Sequence, residues 1–221
     1  RMWTKKITIK KVTPKGTKKQ FDQLLIEKKT TLFFNQKEKT VFYHTQVNQK
    51  ELIKGYLLAT HQEKIISMKE DQESNTILIT KSKKQHFESE NIQMRLHDTV
   101  LFNLTSKFQE KAILFKDTAI SESAAFTDKE NIISFGEDID GINSFYKALG
   151  CLSEKQLINI NNFALLVSFK IDLPLINLCI NIGINTIISR TAATSLAYEK
   201  AQEHNIKLIG FARGTKYSIY T

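Results

Sequence analysis

At 221 residues and 41% hydrophobic content the chain can bury one substantial core or two small ones, in the manner of an ordinary globular protein. Its net charge of +9 is mostly lysine, with Lys5, Lys6, Lys10, Lys11, Lys15, Lys18 and Lys19 preceding the first acidic residue, Asp22. Arginine is scarce and no helix-turn-helix, zinc-finger or RNA-binding signature is present, so a solvated basic face is expected and nucleic acid is not the expected partner. The same field suits a multiply phosphorylated cofactor or an acidic protein partner. No apolar run approaches the roughly 20 residues of a membrane span, and no signal-peptide pattern follows Met2, so the expected location is cytoplasmic. Arg1, ahead of Met2, reads as an expression-tag remnant.

Ile7, Ile9 and Val12 alternate well enough to predict a first strand over residues 2–12, closed by Pro14-Lys15-Gly16. A hairpin follows, Thr31 to Phe34 and Thr40 to His44 around Asn35-Gln36-Lys37, and then a helix from Gln49 to Thr60. Strands at Lys64 to Met68 and Thr76 to Thr80 flank a polar turn, and the polar stretch Lys81 to Glu90 predicts a loop. This half, residues 1–105, reads as an antiparallel-rich α+β lobe.

From 106 to 221 the pattern changes. Short apolar strands are predicted at Ile113 to Phe115, Ala124 to Phe126, Ile132 to Phe135, Phe163 to Val167, Thr186 to Ile188 and Leu208 to Phe211. Amphipathic helices lie between them, near Ile142 to Leu149, Leu173 to Ile182 and Ser195 to His204. Continuous apolar strands alternating with helices imply a central sheet covered on both faces.

Chemistry is sparse. Cys179 falls in an apolar helical pattern and reads as a small buried hydrophobe, whereas Cys151 follows Gly150 in an expected helix-ending turn where exposure is open. His61-Gln62-Glu63 and His86-Phe87-Glu88 match the first element of a zinc deaminase by spacing, but no C-x-x-C pair exists to complete three ligands, so neither metal nor deamination is expected. Glu137 and Asp138, entering a helix that carries Asn143 and Lys147, suit capping of that helix. Thr194 or Ser195 suits an N-cap, and the small residues before them would also admit a phosphate to the helix N–H groups. In the final turn Gly214 lets the backbone approach a ligand, with Arg213 and Lys216 flanking it as a planar fork and a point charge.

The stretch Thr191-Ala192-Ala193-Thr194-Ser195-Leu196-Ala197, followed by Leu208 to Thr221, closely resembles the C-terminus of the formate dehydrogenase accessory sulfurtransferase (FdhD) family, "S-A-x-T-S-L-A … L-x-G-F-x-R-G-x-x-x-x-Y-T". Upstream, Glu51-Leu52-Ile53-Lys54-Gly55-Tyr56-Leu57-Leu58 resembles "E-x-A-x-G-F-L-L", and Ser121 to Ala125 stands where the family has "T-H-A-A-A". Glu137-Asp138 through Lys147 to Gly150 resembles "E-D-V-G-R-H-N-A-x-D-K-x-x-G", and Val167 to Lys170 stands in for "V-S-x-R". The departures are specific. No cysteine lies between Arg95 and Lys116, where the family's C-G-x-C-G sulfur carrier is expected. Asp140-Gly141-Ile142 replaces Gly-Arg-His, Tyr146 replaces Asp, and Glu122 replaces His.

The resemblance implies an α/β fold whose C-terminal domain is a cytidine-deaminase-like α/β/α layer, beside the smaller lobe. It implies support of formate dehydrogenase maturation by binding molybdenum (or tungsten) bis(molybdopterin guanine dinucleotide), mimicked by GDP, for sulfuration or delivery. Binding is expected at Phe211, Ala212, Arg213, Gly214, Thr215 and Lys216, with Thr194, Ser195 and Lys170; the turn at Glu137-Asp138 would border the pocket, and Lys170 keeps charge but loses the arginine fork. The expected partners are the formate dehydrogenase catalytic subunit and a cysteine desulfurase, whose sulfur would need the cysteines lacking here; a homodimer stays open. Two alternatives remain: a non-catalytic paralogue acting as cofactor chaperone or partner subunit, and a basic nucleotide- or RNA-binding protein on the same scaffold.

Overall fold

The computed structural model describes residues 3–34, 38–87, 93–155 and 159–221, so the turn at Asn35-Gln36-Lys37 and the residue Glu88 of the second H-x-E match lie outside it. The chain begins with an antiparallel ribbon, β1 (Thr4–Thr13) and β2 (Gly16–Leu25), turning at Pro14-Lys15. The second strand was not legible: Lys18, Lys19, Phe21 and Gln23 are all exposed, so no apolar alternation marks it. A four-stranded sheet follows, ordered β4-β3-β6-β5, from β3 (Glu27–Phe34), β4 (Glu38–Thr45), β5 (Glu63–Asp71) and β6 (Thr76–Lys84). In β3 the buried residues Thr30, Leu32 and Phe34 alternate with less buried ones, as a one-sided sheet requires. The predicted loop after Thr80 starts later than expected. Residues to Lys84 continue the ladder with β5, because main-chain pairing needs no apolar side chains.

Between β4 and β5, α1 (Gln49–His61) buries Leu52, Ile53, Leu57 and Leu58. It crosses α4 (Gly141–Glu154) at a seam built on two glycines. A Cβ on Gly55 would stand 1.8 Å from the Tyr146 carbonyl oxygen, and one on Gly150 would stand 2.0 Å from that of Glu51. Only backbones without side chains can pack this closely.

The second sheet has six strands, ordered β12-β11-β10-β9-β7-β8: β7 (Glu122–Thr127), β8 (Ile132–Asp138), β9 (Ala164–Val167), β10 (Thr186–Ser189), β11 (Lys207–Arg213) and β12 (Lys216–Ile219). Strands β9, β10 and β11 are parallel; β7, β8 and β12 run antiparallel to their neighbours. One face carries Phe126, Leu165, Val167, Ile187 and Leu208, packed with α4, α5 (Leu173–Ile182), α6 (Ser195–Glu203) and also α1 and β3. The other carries Ala125, Leu166, Ile188 and Ile209 against Leu101 and Phe108 of α2 (Asp98–Lys111). Helices therefore cover both faces of a mixed α/β sheet, as the continuous apolar strands predict. Among the described residues, no helix is long and apolar enough to cross a membrane.

Two expectations are corrected. Ile113-Leu114-Phe115 is not a strand but opens the short helix α3 (Ile113–Thr118), because a buried carboxylate caps its N–H groups and overrides the apolar triad. Cys151 does not sit in a helix-ending turn, since α4 runs on to Glu154.

Candidate functional site

The parallel strands end together at Val167, Ser189 and Arg213, with Ser168 and Arg190 next in the chain, and at the same edge the antiparallel β7 begins at Glu122. This is the carboxyl edge of the parallel strands, beside the point where strand direction reverses, which is where open α/β sheets leave a crevice. Phe108, Gln109, Ala112 and Phe115, from the joint between α2 and α3, cover it and close a cavity of about 240 Å³.

Two guanidiniums share this cavity. Arg213 Nε donates to the Arg190 carbonyl at 2.7 Å, and the Arg190 N–H donates to the Val167 carbonyl at 3.1 Å, so each is tied to the neighbouring strand end. Burial, and then the charge of Arg213, press the Arg190 pKa down; the guanidinium stays charged, so the two positive groups repel each other. A β-bulge between Gly210 and Arg213 shapes the approach. Within it Phe211 holds a left-handed backbone (φ 52°), a strained state for a phenylalanine, fixed by its N–H donating to the Thr191 carbonyl at 2.8 Å. Facing the arginines, the Ser168 hydroxyl donates to the Glu122 carboxylate while accepting the Ser123 N–H at 2.9 Å.

The wall of the cavity is anchored by Glu137. Its carboxylate accepts from the Leu114 N–H at 3.0 Å, the Phe115 N–H at 2.8 Å and the Ser121 hydroxyl at 2.7 Å. Asp138 points the other way, accepting from the Thr45 N–H at 3.1 Å and pairing with Lys147. Neither caps α4. Asp140 does so, accepting from the Asn143 N–H at 2.9 Å, because Glu137 and Asp138 are still in β8 and buried. Next to this network His44 is held by burial below its ordinary pKa; its Nδ1–H donates to the Thr45 carbonyl at 2.6 Å, leaving Nε2 to accept from Thr30 at 2.9 Å.

Of the residues predicted from sequence, Arg213 lines the cavity. Ala212 is buried beneath it, Gly214 makes the turn at φ 58°, and Thr215 and Lys216 lead into the exposed β12. Thr194 is the N-cap of α6, accepting from the Ala197 N–H at 3.4 Å, and Ser195 is exposed beside it. Lys170 is exposed and pairs with Asp172 at 3.2 Å. The Ile171–Ala193 bridge brings the loops of Lys170 and Thr194 together, but neither residue lines the cavity. Arg190 and Ser168 were missed as site residues; their signal was position, since each directly follows an apolar parallel strand. His61 packs against the rings of Phe34 and Tyr56, and Glu63 pairs with Lys84 at 3.0 Å. Among the described residues no cluster of three His, Cys, Asp or Glu side chains is placed to hold a metal.

Residues 74–221 match the model of the FdhD/NarQ family. The chain belongs to that family. A sulfur carrier protein FdhD of Sulfolobus acidocaldarius is 25% identical over 248 aligned positions, covering 100% of this chain and 97% of its own. One from Sulfurisphaera tokodaii is 33% identical over 128 residues, 58% of this chain and 50% of that protein. A protein FdhD of Methanocaldococcus jannaschii is 40% identical over 99 residues, 45% of this chain and 43% of that protein. In the latter two alignments the chain thus spans half or less of its relative. A crystal structure of a protein from Desulfotalea psychrophila, provisionally named a formate dehydrogenase accessory protein, shares the fold, with a TM-score of 0.85 at 16% identity over 99% of this chain and 97% of that one.

Proposed function

We propose that this protein serves formate dehydrogenase maturation by holding the guanine-nucleotide end of a molybdenum bis(molybdopterin guanine dinucleotide) cargo in the cavity of Arg190, Arg213, Ser168 and Glu122. The arginine pair carries the reading. A diphosphate between two guanidiniums relieves their mutual repulsion and meets their planar donor forks, while the exposed ring of Phe115 offers a face to a flat base. The chain's own residues bind and orient; the metal chemistry belongs to the cargo.

Sulfur relay by this chain's thiols has little physical support. Cys179 is fully buried. Cys151 is half-buried, lies outside the cavity lining, and has its thiol pushed up to about 11, chiefly by burial. A persulfide carrier uses an accessible thiolate. The reading is therefore a cofactor-holding member, or a paralogue acting beside a cysteine-bearing one, with the formate dehydrogenase catalytic subunit as recipient. The cytidine-deaminase-like relationship expected from the resemblance belongs to the same proposal, supported by helices on both faces of a mixed sheet.

The test is to produce the chain in a host with active molybdenum cofactor synthesis, denature the purified protein and identify the released nucleotides. Guanine nucleotide approaching one equivalent per chain, or more, is expected. Adenine nucleotide alone, or none, contradicts the reading.

A further inference from the structure

We infer that Glu122 selects the base in this cavity, accepting hydrogen bonds from a ring that presents two adjacent N–H donors, as guanine does and adenine does not. The inference rests on the nucleotide reading of the same cavity and names what sets its specificity.

Three observations converge on it. First, Glu122 shares the cavity with Arg190 and Arg213, yet among the described residues no ion pair joins it to either. The site thus keeps cationic and acceptor regions separate, which suits a ligand with an anion at one end and donors at the other. Secondly, the carboxylate is held in place: Ser168 donates to one of its oxygens, and the Ser168 oxygen is itself fixed by the Ser123 N–H at 2.9 Å. The other oxygen accepts no hydrogen bond among the described residues. A fixed acceptor with spare lone pairs in a partly enclosed site is poised for a donor from the ligand. Thirdly, Phe115 lines the same cavity with its ring exposed, so a planar heterocycle entering it meets apolar ring surface as well as the carboxylate.

An ionised carboxylate only accepts. Guanine offers it N1–H and N2–H side by side. Adenine would set its N1 lone pair against a carboxylate oxygen, leaving two acceptors face to face and desolvated. Sites built to pair with a specific donor reject analogues lacking it because their own polar groups are then stranded. The arginines contribute equally to both nucleotides, so discrimination falls to Glu122.

The experiment is calorimetric titration of the whole chain with GDP, IDP and ADP, for the wild type and for Glu122→Ala, Glu122→Gln and Ser168→Ala. Circular dichroism and thermal melts check that each variant is folded. The wild type should prefer GDP to ADP by about 10- to 100-fold, the usual range for a hydrogen bond to a charged group. IDP, which lacks the N2 amine, should fall between them. Glu122→Ala should bring GDP and ADP within about threefold of each other, mainly by loss of GDP affinity, and a merely structural role would weaken both alike. Glu122→Gln, nearly isosteric and the safeguard should the alanine variant not fold, should also lower the preference, and Ser168→Ala should lower it partly by freeing the carboxylate. If the wild type binds GDP preferentially and both Glu122 variants keep that preference, the inference is overturned while the nucleotide reading stands. If GDP and ADP bind the wild type equally, the inference is again overturned alone. If neither binds, both fall.

Discussion

Lys147 Nζ lies 2.5 Å from Asp138 Oδ2, and neither side chain has any exposed surface. The three N–H groups of the ammonium are surrounded as well by the Thr45 hydroxyl oxygen at 2.6 Å, the Thr45 carbonyl at 3.1 Å and the Glu137 carbonyl at 3.3 Å. Helix α4, strand β8 and the end of β4 are thereby fastened at one point, and Glu137 carries the connection on to the cavity wall. Burial presses the Lys147 pKa down and Asp138 opposes this.

Removing one partner should be far more damaging than removing both. Lys147→Met leaves a buried carboxylate without its cation and should destabilise the fold by about 3–5 kcal/mol, whereas Lys147→Met with Asp138→Asn should recover a large part of that loss. Urea unfolding of the two single variants and the double variant gives the coupling. Additive effects would contradict a buried pair.

The glycine seam between α1 and α4 makes a second prediction. Gly55→Ala and Gly150→Ala each drive a methyl group into a carbonyl of the facing helix, and only separation of the helices relieves it. Each should destabilise by about 2 kcal/mol or more, lowering the melting temperature by roughly 4–8 °C. Lys50→Ala, at an exposed position of α1, is the control. A melting temperature unchanged in both glycine variants would show that the seam is looser than described.

Cys151 should be a poor nucleophile. With its thiol raised from an ordinary 9.0 to about 11, only about one molecule in a thousand is thiolate at pH 8. Iodoacetamide should therefore label it slowly near neutrality and much faster above about pH 10. The sign of the linked stability follows. Below pH 9 the thiol is protonated in both folded and unfolded chains and its contribution is fully present; as pH rises towards 11 the unfolded chain loses its proton first, and that contribution is lost. Complete labelling within minutes at pH 7.5, or a one-sulfur mass gain at Cys151 after exposure to a cysteine desulfurase and cysteine, would reverse this view.

Where side-chain pattern decides structure, the sequence was readable. Leu165-Leu166, Ile187-Ile188 and Leu208-Ile209 are apolar on consecutive positions because both faces of the sheet are covered, and their strands and intervening helices fall where periodicity puts them. Pattern fails where a distant group decides. Ile113-Leu114-Phe115 is helical because Glu137 reaches its N–H groups from another strand, and β2 exists through pairing to β1 without an apolar face. The site was half legible for the same reason. Arg213 stood out beside Gly214, but Arg190, Ser168 and Glu122 come together only when three strand ends and the start of a fourth strand meet, and Lys170 drew attention through charge that the fold directs to Asp172 and solvent.

The most direct measurement of the central claim is calorimetric titration of GDP into wild type, Arg213→Ala, Arg190→Ala and Lys216→Ala at two salt concentrations, with ADP as control. Losing a charge-assisted, partly enclosed contact should weaken GDP binding by about 10- to 100-fold for either cavity arginine. Lys216 is exposed, so its removal should have a smaller effect that fades at the higher salt. Arginine variants that bind GDP as tightly as the wild type would contradict the account and leave the two arginines as structure only.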